Sequence, residues 1–241
     1  MSVEAFIITG ASKGIGLALS KQLAASGQQV IGIARSKPTD WTGALFITHD
    51  LTDIDGISHV VAQAVQAISA EAEAVTLINN AGTVEPIGFA AANESQDIAK
   101  SITLNLTAPM SLSSAFLRGT ETSNNRRIVN ISSGAGRKQV QGWSAYCAGK
   151  AGLDHYTTCL DAEYENLKAV SVAPGIIDTG MQERIRESGE EDFPQIEHFR
   201  NYKSSGKLSS PEDTASGLIR LMQRADFNEL PVLLDLRELP Q

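Results

Sequence analysis

Thr9-Gly10-Ala11-Ser12-Lys13-Gly14-Ile15-Gly16 follows a short apolar run, Ala5 to Ile8, and precedes an alanine- and leucine-rich stretch from Leu17 to Ser26. Glycine at positions 10, 14 and 16 lets a chain leaving a strand turn sharply, and lets its backbone approach a ligand closely. The N-terminus of the helix that follows offers free N–H groups and a partial positive charge to a pyrophosphate. A lone glycine pattern is weak evidence, and a tight strand-to-helix turn is its plain structural alternative. Its position between a strand and a helix is the context that a dinucleotide-binding turn requires. Gly10, Ser12, Lys13, Gly14, Ile15 and Gly16 are therefore candidate cofactor contacts.

Outward from this turn, apolar runs recur at Gln29 to Ala34, Leu45 to Thr48, Val75 to Ile78, Arg127 to Ile131 and Ala169 to Ala173. Segments long enough for helices separate them, and Ile57 to Ser69 carries apolar residues at helical spacing. Continuous rather than alternating apolar runs fit parallel strands covered on both faces. The alternation of strand and helix predicts an α/β fold with a doubly wound parallel sheet of the Rossmann type. A chain of 241 residues fits one such domain, 1–241. Residues 178–207 are charged and interrupted by Gly189, Pro194 and Gly206, and predict helical pieces lying over the sheet as a lid.

Charge narrows the function classes. Lys plus Arg number 20 against 28 Asp plus Glu, leaving a net charge of −8, which disfavours nucleic acid and anionic lipid as partners. The apolar run near the N-terminus is shorter than a secretion signal, and no stretch matches the roughly 20 apolar residues of a bilayer span. Two cysteines, Cys147 and Cys159, support neither a disulfide framework nor a thiolate zinc site, and the four histidines show no metal-ligand spacing. A soluble cytoplasmic protein without a metal is expected.

The end of the second apolar run reads Ala34-Arg35-Ser36-Lys37, with no acid to bind a ribose 2′-hydroxyl. Cations at Lys13, Arg35 and Lys37 suit a 2′-phosphate and predict NADP(H); solvation of a loop is the structural alternative. Asp50, followed by Leu51 after the third run, either accepts from an adenine amino group or caps the next helix.

Tyr146 and Lys150 stand four residues apart in an alanine-rich stretch, so on a helix they share one face. A phenol of pKa about 10 is a poor acid–base group unless a neighbouring cation stabilises its ionised form, and Lys150 would supply that cation. Ser133 follows the strand Ile128-Val129-Asn130-Ile131, at the sheet edge where α/β folds bind ligands, and Asn79-Asn80-Ala81-Gly82 ends another strand at that edge. Asn105, in Leu104-Asn105-Leu106-Thr107, is placed to hold a water or a backbone group behind the lysine. Strand-end capping for Ser133, a plain turn for the asparagines and helix capping for Asn105 are the structural alternatives. Cys147 is offset on the helix and reads as core.

In this order, these motifs together with Pro174-Gly175-x-x-x-Thr179 resemble the short-chain dehydrogenase/reductase family over nearly the whole chain. The resemblance implies a tetrad. Ser133 orients a substrate carbonyl, Tyr146 exchanges the proton, Lys150 lowers the tyrosine pKa and grips the nicotinamide ribose, and Asn105 supports a relay water. It also implies cofactor contacts from Asn80, Ala81, Gly82, Pro174, Gly175, Ile177 and Thr179. Gly142-Trp143-x-x-Tyr146-Cys147-Ala148-Gly149-Lys150, Asp178-Thr179-x-Met181-Gln182 and Gly206-Lys207-Leu208 are similar to sepiapterin reductases and to bacterial relatives that reduce vicinal diketones such as benzil. That finer likeness implies an NADPH-dependent carbonyl reductase acting on a small aromatic or dicarbonyl compound, with Asp235 as a candidate substrate anchor. Trp143 would wall the pocket or simply pack, and Met181 and Phe193 would close its other side or pack likewise. A reductase of acyl-carrier-bound 3-ketones and a non-catalytic NADP sensor are the alternatives. Family members often pair into homodimers or homotetramers.

Overall fold

The computed structural model describes residues 3–123 and 125–239, so residues 1, 2, 124, 240 and 241 of the expected single unit lie outside the described residues. Seven parallel strands form one sheet: β1 (Glu4–Thr9), β2 (Gln29–Ala34), β3 (Leu45–Thr48), β4 (Ala74–Asn79), β5 (Arg126–Ile131), β6 (Leu167–Ala173) and β7 (Leu233–Asp235). They run in the order β3-β2-β1-β4-β5-β6-β7. Six match the apolar runs of the sequence. The seventh spans only Leu233, Leu234 and Asp235, too short to carry a periodic signal of its own.

Strand residues alternate between two buried layers. Ile7, Ile31, Leu77 and Ile128 face α2 (Ile57–Gln66), α4 (Ala108–Gly119) and α5 (Ser144–Glu163), where Val61, Leu112, Phe116 and Leu160 meet them. Phe6, Ile8, Val129 and Val172 face α1 (Gly14–Ala25) and α8 (Pro211–Met222) through Leu19, Leu23, Leu218 and Leu221. Each fully buried side chain of this size contributes about 1.5–3 kcal/mol by leaving water, so both faces must be covered. Helix boundaries follow local chemistry: Ser210 caps α8 by accepting from the Asp213 N–H at 3.0 Å, and Pro211 occupies the first turn.

Register brings the functional positions to one edge. Ile8 pairs with Ile78, Asn79 with Asn130, Ile131 with Val172, and Ala173 with Asp235. Thr9, Asn80, Ser133, Pro174 and Asp235 thus emerge together at the carboxyl ends of the strands. Strand order reverses between β1 and β4, and in open α/β sheets ligands bind beside that reversal. Residues 178–207 hold α6 (Gly180–Arg186) and α7 (Ile196–Ser204), and both contribute to the wall of the cleft at this edge. Between α3 (Ser95–Ile102) and α4, residues Thr103–Thr107 form one π-helical turn. Among the described residues no helix is long and apolar enough to cross a membrane, and no group of His, Cys, Asp and Glu is arranged to hold a metal ion.

Candidate active site

The glycine turn is fixed by contacts that only glycine permits. Gly10 has φ +67°, in the left-handed region. A Cβ on Gly16 would lie 2.3 Å from the Gly10 carbonyl oxygen and 2.6 Å from Asn80 Nδ2. Thr9 ties this turn to the end of β4: its Oγ1 accepts from the Asn80 N–H at 3.0 Å and the Ala81 N–H at 3.1 Å, and donates to the Ile78 carbonyl at 3.3 Å. Asn80 Nδ2 returns a hydrogen bond to the Thr9 carbonyl at 3.0 Å. Thr9 belongs to the sequence motif, but its bridging role depends on β1 and β4 being neighbours.

A cleft of about 1940 Å³ runs along the strand ends. Gly10, Ser12, Lys13, Gly14 and Ile15 line it from the turn, and Asn80, Ala81 and Gly82 from the end of β4. Arg35, Asp50 and Leu51 line the stretch beyond β2 and β3, and Pro174, Gly175, Ile177 and Thr179 the stretch beyond β6. Gly16 is buried behind the wall, where a side chain would meet backbone. Lys37, expected beside Lys13 and Arg35, is not part of the wall. Asp50 Oδ1 accepts from the Thr52 N–H at 3.0 Å and from Thr52 Oγ1 at 2.9 Å, and these bonds, then Arg35 and His49, hold its carboxyl below the usual value of 3.8. It caps a local turn rather than α2, which starts at Ile57. Side-chain-free backbone at the turn, uncapped N–H groups at the start of α1, and exposed cations at Lys13 and Arg35 fit a nicotinamide dinucleotide.

Further along, Ser133, Tyr146 and Lys150 share the wall of the same cleft. The Ser133 hydroxyl accepts from the Ala135 N–H at 3.2 Å, which fixes the segment after β5. Tyr146 is buried, and burial pushes its phenol up to about 12 while a hydrogen bond with Ser133 pulls the other way. Lys150 Nζ donates to the Ile131 carbonyl at 2.8 Å and stands 5.8 Å from the centre of the Tyr146 ring. Burial pushes Lys150 down to about 8, against the pull of Asp154. Desolvation is the largest influence on both groups, raising the phenol and lowering the ammonium.

Asn105 sits in the π-helical turn, fully buried and off the cleft wall. Its Oδ1 accepts from the Thr83 N–H at 3.0 Å and its Nδ2 donates to the Thr83 carbonyl at 2.8 Å. Its side chain thus holds a backbone group, one of the two expectations for it.

Around the Ser133 and Tyr146 hydroxyls the wall is aromatic. Trp143 lines the cleft edge-on to Tyr146, with centroids 5.6 Å apart, and stacks on Phe193 at 4.8 Å with planes 3° apart. Phe193 is fully buried and packs on Trp143, the second of the two expectations for it; Met181 lines the cleft. Phe199 and Tyr202 of α7 line it as well, Phe199 packing 5.3 Å from Trp143. Nothing in the spacing of Phe199 and Tyr202 distinguishes them from ordinary packing residues, because what they meet is far away in sequence. Asp235 reaches the cleft, but Arg237 Nε and Nη2 bind its two oxygens at 2.9 and 2.6 Å and lower its carboxyl pKa, so the proposed anchor is already paired.

The architecture is that of a Rossmann-type dinucleotide-binding oxidoreductase. Residues 4–190 match the short chain dehydrogenase family model. The chain is 36% identical over 242 residues to a benzil reductase ((S)-benzoin forming) of Bacillus cereus, covering 94% of this chain and 97% of that one. It is 31% identical to the sepiapterin reductase of Rattus norvegicus, covering 92% of each. A solved short-chain dehydrogenase/reductase from Saccharomyces cerevisiae superposes with a TM-score of 0.85 at 26% identity, covering 98% of this chain and 96% of that one. The chain belongs to the short-chain dehydrogenase family and is an oxidoreductase acting on CH–OH and C=O groups.

Proposed function

We propose that the protein is an NADPH-dependent carbonyl reductase for small aromatic or vicinal dicarbonyl compounds, with Asn105, Ser133, Tyr146 and Lys150 as its tetrad. The observation that carries this reading is the placement of a buried Tyr146 beside Ser133 in a cleft continuous with the glycine turn. NADPH, when bound, supplies the hydride. Ser133 donates to the ketone oxygen and fixes its position. Tyr146 gives its proton to that oxygen as negative charge develops, and a phenol that stays protonated through neutral pH suits reduction. The Lys150 ammonium adds positive charge behind the phenol, and Asn105 holds the Thr83 backbone against the π-helical turn. Residues 178–207, with Met181, Phe199 and Tyr202, cover the substrate, and Trp143 offers an aromatic face to it.

Lys13 and Arg35 support a 2′-phosphate over a 2′-hydroxyl. The benzil reductases among the relatives support an aromatic diketone, and the Asp235–Arg237 pair argues against a pterin anchored by a free carboxylate. Pairing of copies through the helices near Asn105 and Tyr146 is the expected assembly, and the exposed Met110 on α4 suits such a face.

The test is the initial rate of NADPH oxidation, beside NADH, with benzil, an aliphatic 1,2-diketone, sepiapterin and a 3-oxoacyl thioester. Diketone turnover with NADPH that falls by about 10²–10⁴-fold in Tyr146→Phe supports the reading. Unchanged turnover in that variant removes Tyr146 as the acid, and thioester turnover alone moves the substrate class to carrier-bound ketones.

A further inference from the structure

Tyr146, Lys150 and Asp154 follow one another at four-residue intervals on α5, and none is more than 5% exposed. The first two belong to the proposed chemistry, whereas the third is a buried carboxylate with no part in it. Asp154 Oδ1 accepts from Ser171 Oγ at 2.6 Å, and its Oδ2 accepts from Arg137 Nε at 3.0 Å. Arg137 lies at the end of the short helical turn that begins after Ser133. Its remaining nitrogens donate to the Leu234 carbonyl at 3.1 Å and the Ser171 carbonyl at 3.3 Å. One guanidinium therefore joins the Ser133 segment to α5, β6 and β7. Desolvating such a pair cancels much of its attraction, so stability alone is a poor account of its presence one helical turn below Lys150.

We propose that Asp154 is a positioning residue: its carboxylate, held by Arg137 and Ser171, keeps the Lys150 ammonium charged, while Arg137 fastens the Ser133 segment to the helix that carries Tyr146. The catalytic half of this inference rests on the reductase reading; the electrostatic half does not.

The surroundings leave Asp154 as the counter-charge to Lys150. Tyr146 is the neighbouring titratable group on α5. From β7, Asp235 faces Arg137 but is bound to Arg237. On β6, Lys168 pairs with Asp161 at 3.2 Å at the far end of α5. On α3, Asp97 and Lys100 pair with each other at the surface at 3.1 Å. Arg127 of β5 turns to Glu4 at 3.4 Å, and Arg126 bonds Asn166. Burial depresses the Lys150 pKa to about 8, and Asp154 opposes that fall.

The test titrates Lys150 directly, by the ¹³Cε resonance of lysine-labelled protein, assigned by its loss in Lys150→Arg. The alkaline limb of kcat is followed in parallel. In Asp154→Asn, which keeps an acceptor for Ser171, the midpoint falls by about 1 pH unit and the limb moves with it. In Arg137→Met, which strips the carboxylate of its own cation, both move the opposite way. Arg137→Lys keeps the charge and leaves the midpoint in place while kcat falls through the loosened Ser133 segment. Opposite displacements in the first two variants are the signature a merely structural pair would not give. If Asp154→Asn does not fold, the upward shift in Arg137→Met carries the test. Midpoints that stay put in both, or move together, overturn the proposal whatever happens to the rate. Shifted midpoints in a protein that reduces none of the ketones would sink the reductase reading and leave the charge relation standing.

Discussion

The wall of the cleft built by β1 and β4 and the wall built by α6 and α7 differ in what holds them. At the first, Thr9 and Asn80 bind each other's backbone, and Gly16 lies where a Cβ would sit 2.3 Å from a carbonyl oxygen. At the second, Trp143, Phe193 and Phe199 pack ring against ring, and ion pairs from Asp178 to Lys203 and from Glu85 to Arg184 lie at the surface. Backbone-level constraints demand particular residue types at particular spacings. Ring packing demands only apolar bulk, so it admits many sequences.

Gly16→Val strikes the first wall hardest. The added side chain meets the Gly10 carbonyl and Asn80 Nδ2, neither of which can move without opening the turn. Overpacking of this kind costs about 1–3 kcal/mol of stability, and cofactor binding should be lost altogether. Fluorescence titration with NADPH, beside denaturant unfolding, checks both; binding within twofold of the parent would mean the turn is far softer than its contacts imply.

Between the two walls lies the Tyr146–Lys150 pair, where burial raises the phenol pKa and lowers the ammonium pKa. Lys150 falls from 10.5 to about 8 on folding, which corresponds to about 3 kcal/mol of destabilisation. The sign follows from proton counts. Below pH 8 the lysine is charged in both states and the full cost is present; between about 8 and 10.5 the unfolded chain binds more protons, so folding gains stability as pH rises. The parent protein should therefore gain about 3 kcal/mol relative to Lys150→Met across that window, read from unfolding curves at several pH values. A flat difference would show that water or a counter-charge already solvates the ammonium.

The same contrast explains what the sequence disclosed. The glycine turn, the strand-end asparagines and the Tyr146–Lys150 spacing are local requirements of backbone geometry or helix period, and each was visible in a few consecutive residues. A doubly wound parallel sheet could be expected because continuous apolar runs alternate with helices. Other features depend on distant partners. β7 is three residues long, the exposed cation Lys37 is not part of the cleft wall, Asp235 is paired with Arg237, and Phe199 meets Trp143 from a helix far along the chain. Helix spacing brings Lys150 near Tyr146 but says nothing of how completely the surrounding chain buries both.

Arg35 offers a finer cut within the cofactor wall. A guanidinium bonded to a phosphate contributes about 1.5–3 kcal/mol, so Arg35→Ala should weaken NADPH binding by roughly 10- to 100-fold while leaving NADH nearly unchanged. Equal losses for both dinucleotides would mean that Arg35 supports the wall and does not read the 2′-phosphate.

The smallest effect is expected at the second wall, in Lys203→Ala. Lys203 is 51% exposed and its partner Asp178 36%, so solvent screens their attraction, and Asp178 retains Arg186 at 3.7 Å. An exposed pair of this kind is worth about 0.2–1 kcal/mol. The melting temperature should fall by less than about 4 °C, and KM for an aromatic diketone should hold within about twofold, because Phe199 against Trp143 and Phe193 anchors α7. Raising the salt concentration on the parent protein should imitate the substitution, since screening acts on the ion pair and not on the rings. If instead KM climbs steeply in Lys203→Ala or in high salt, charge rather than aromatic packing positions α7, and the difference between the two walls is one of partner type only, not of rigidity.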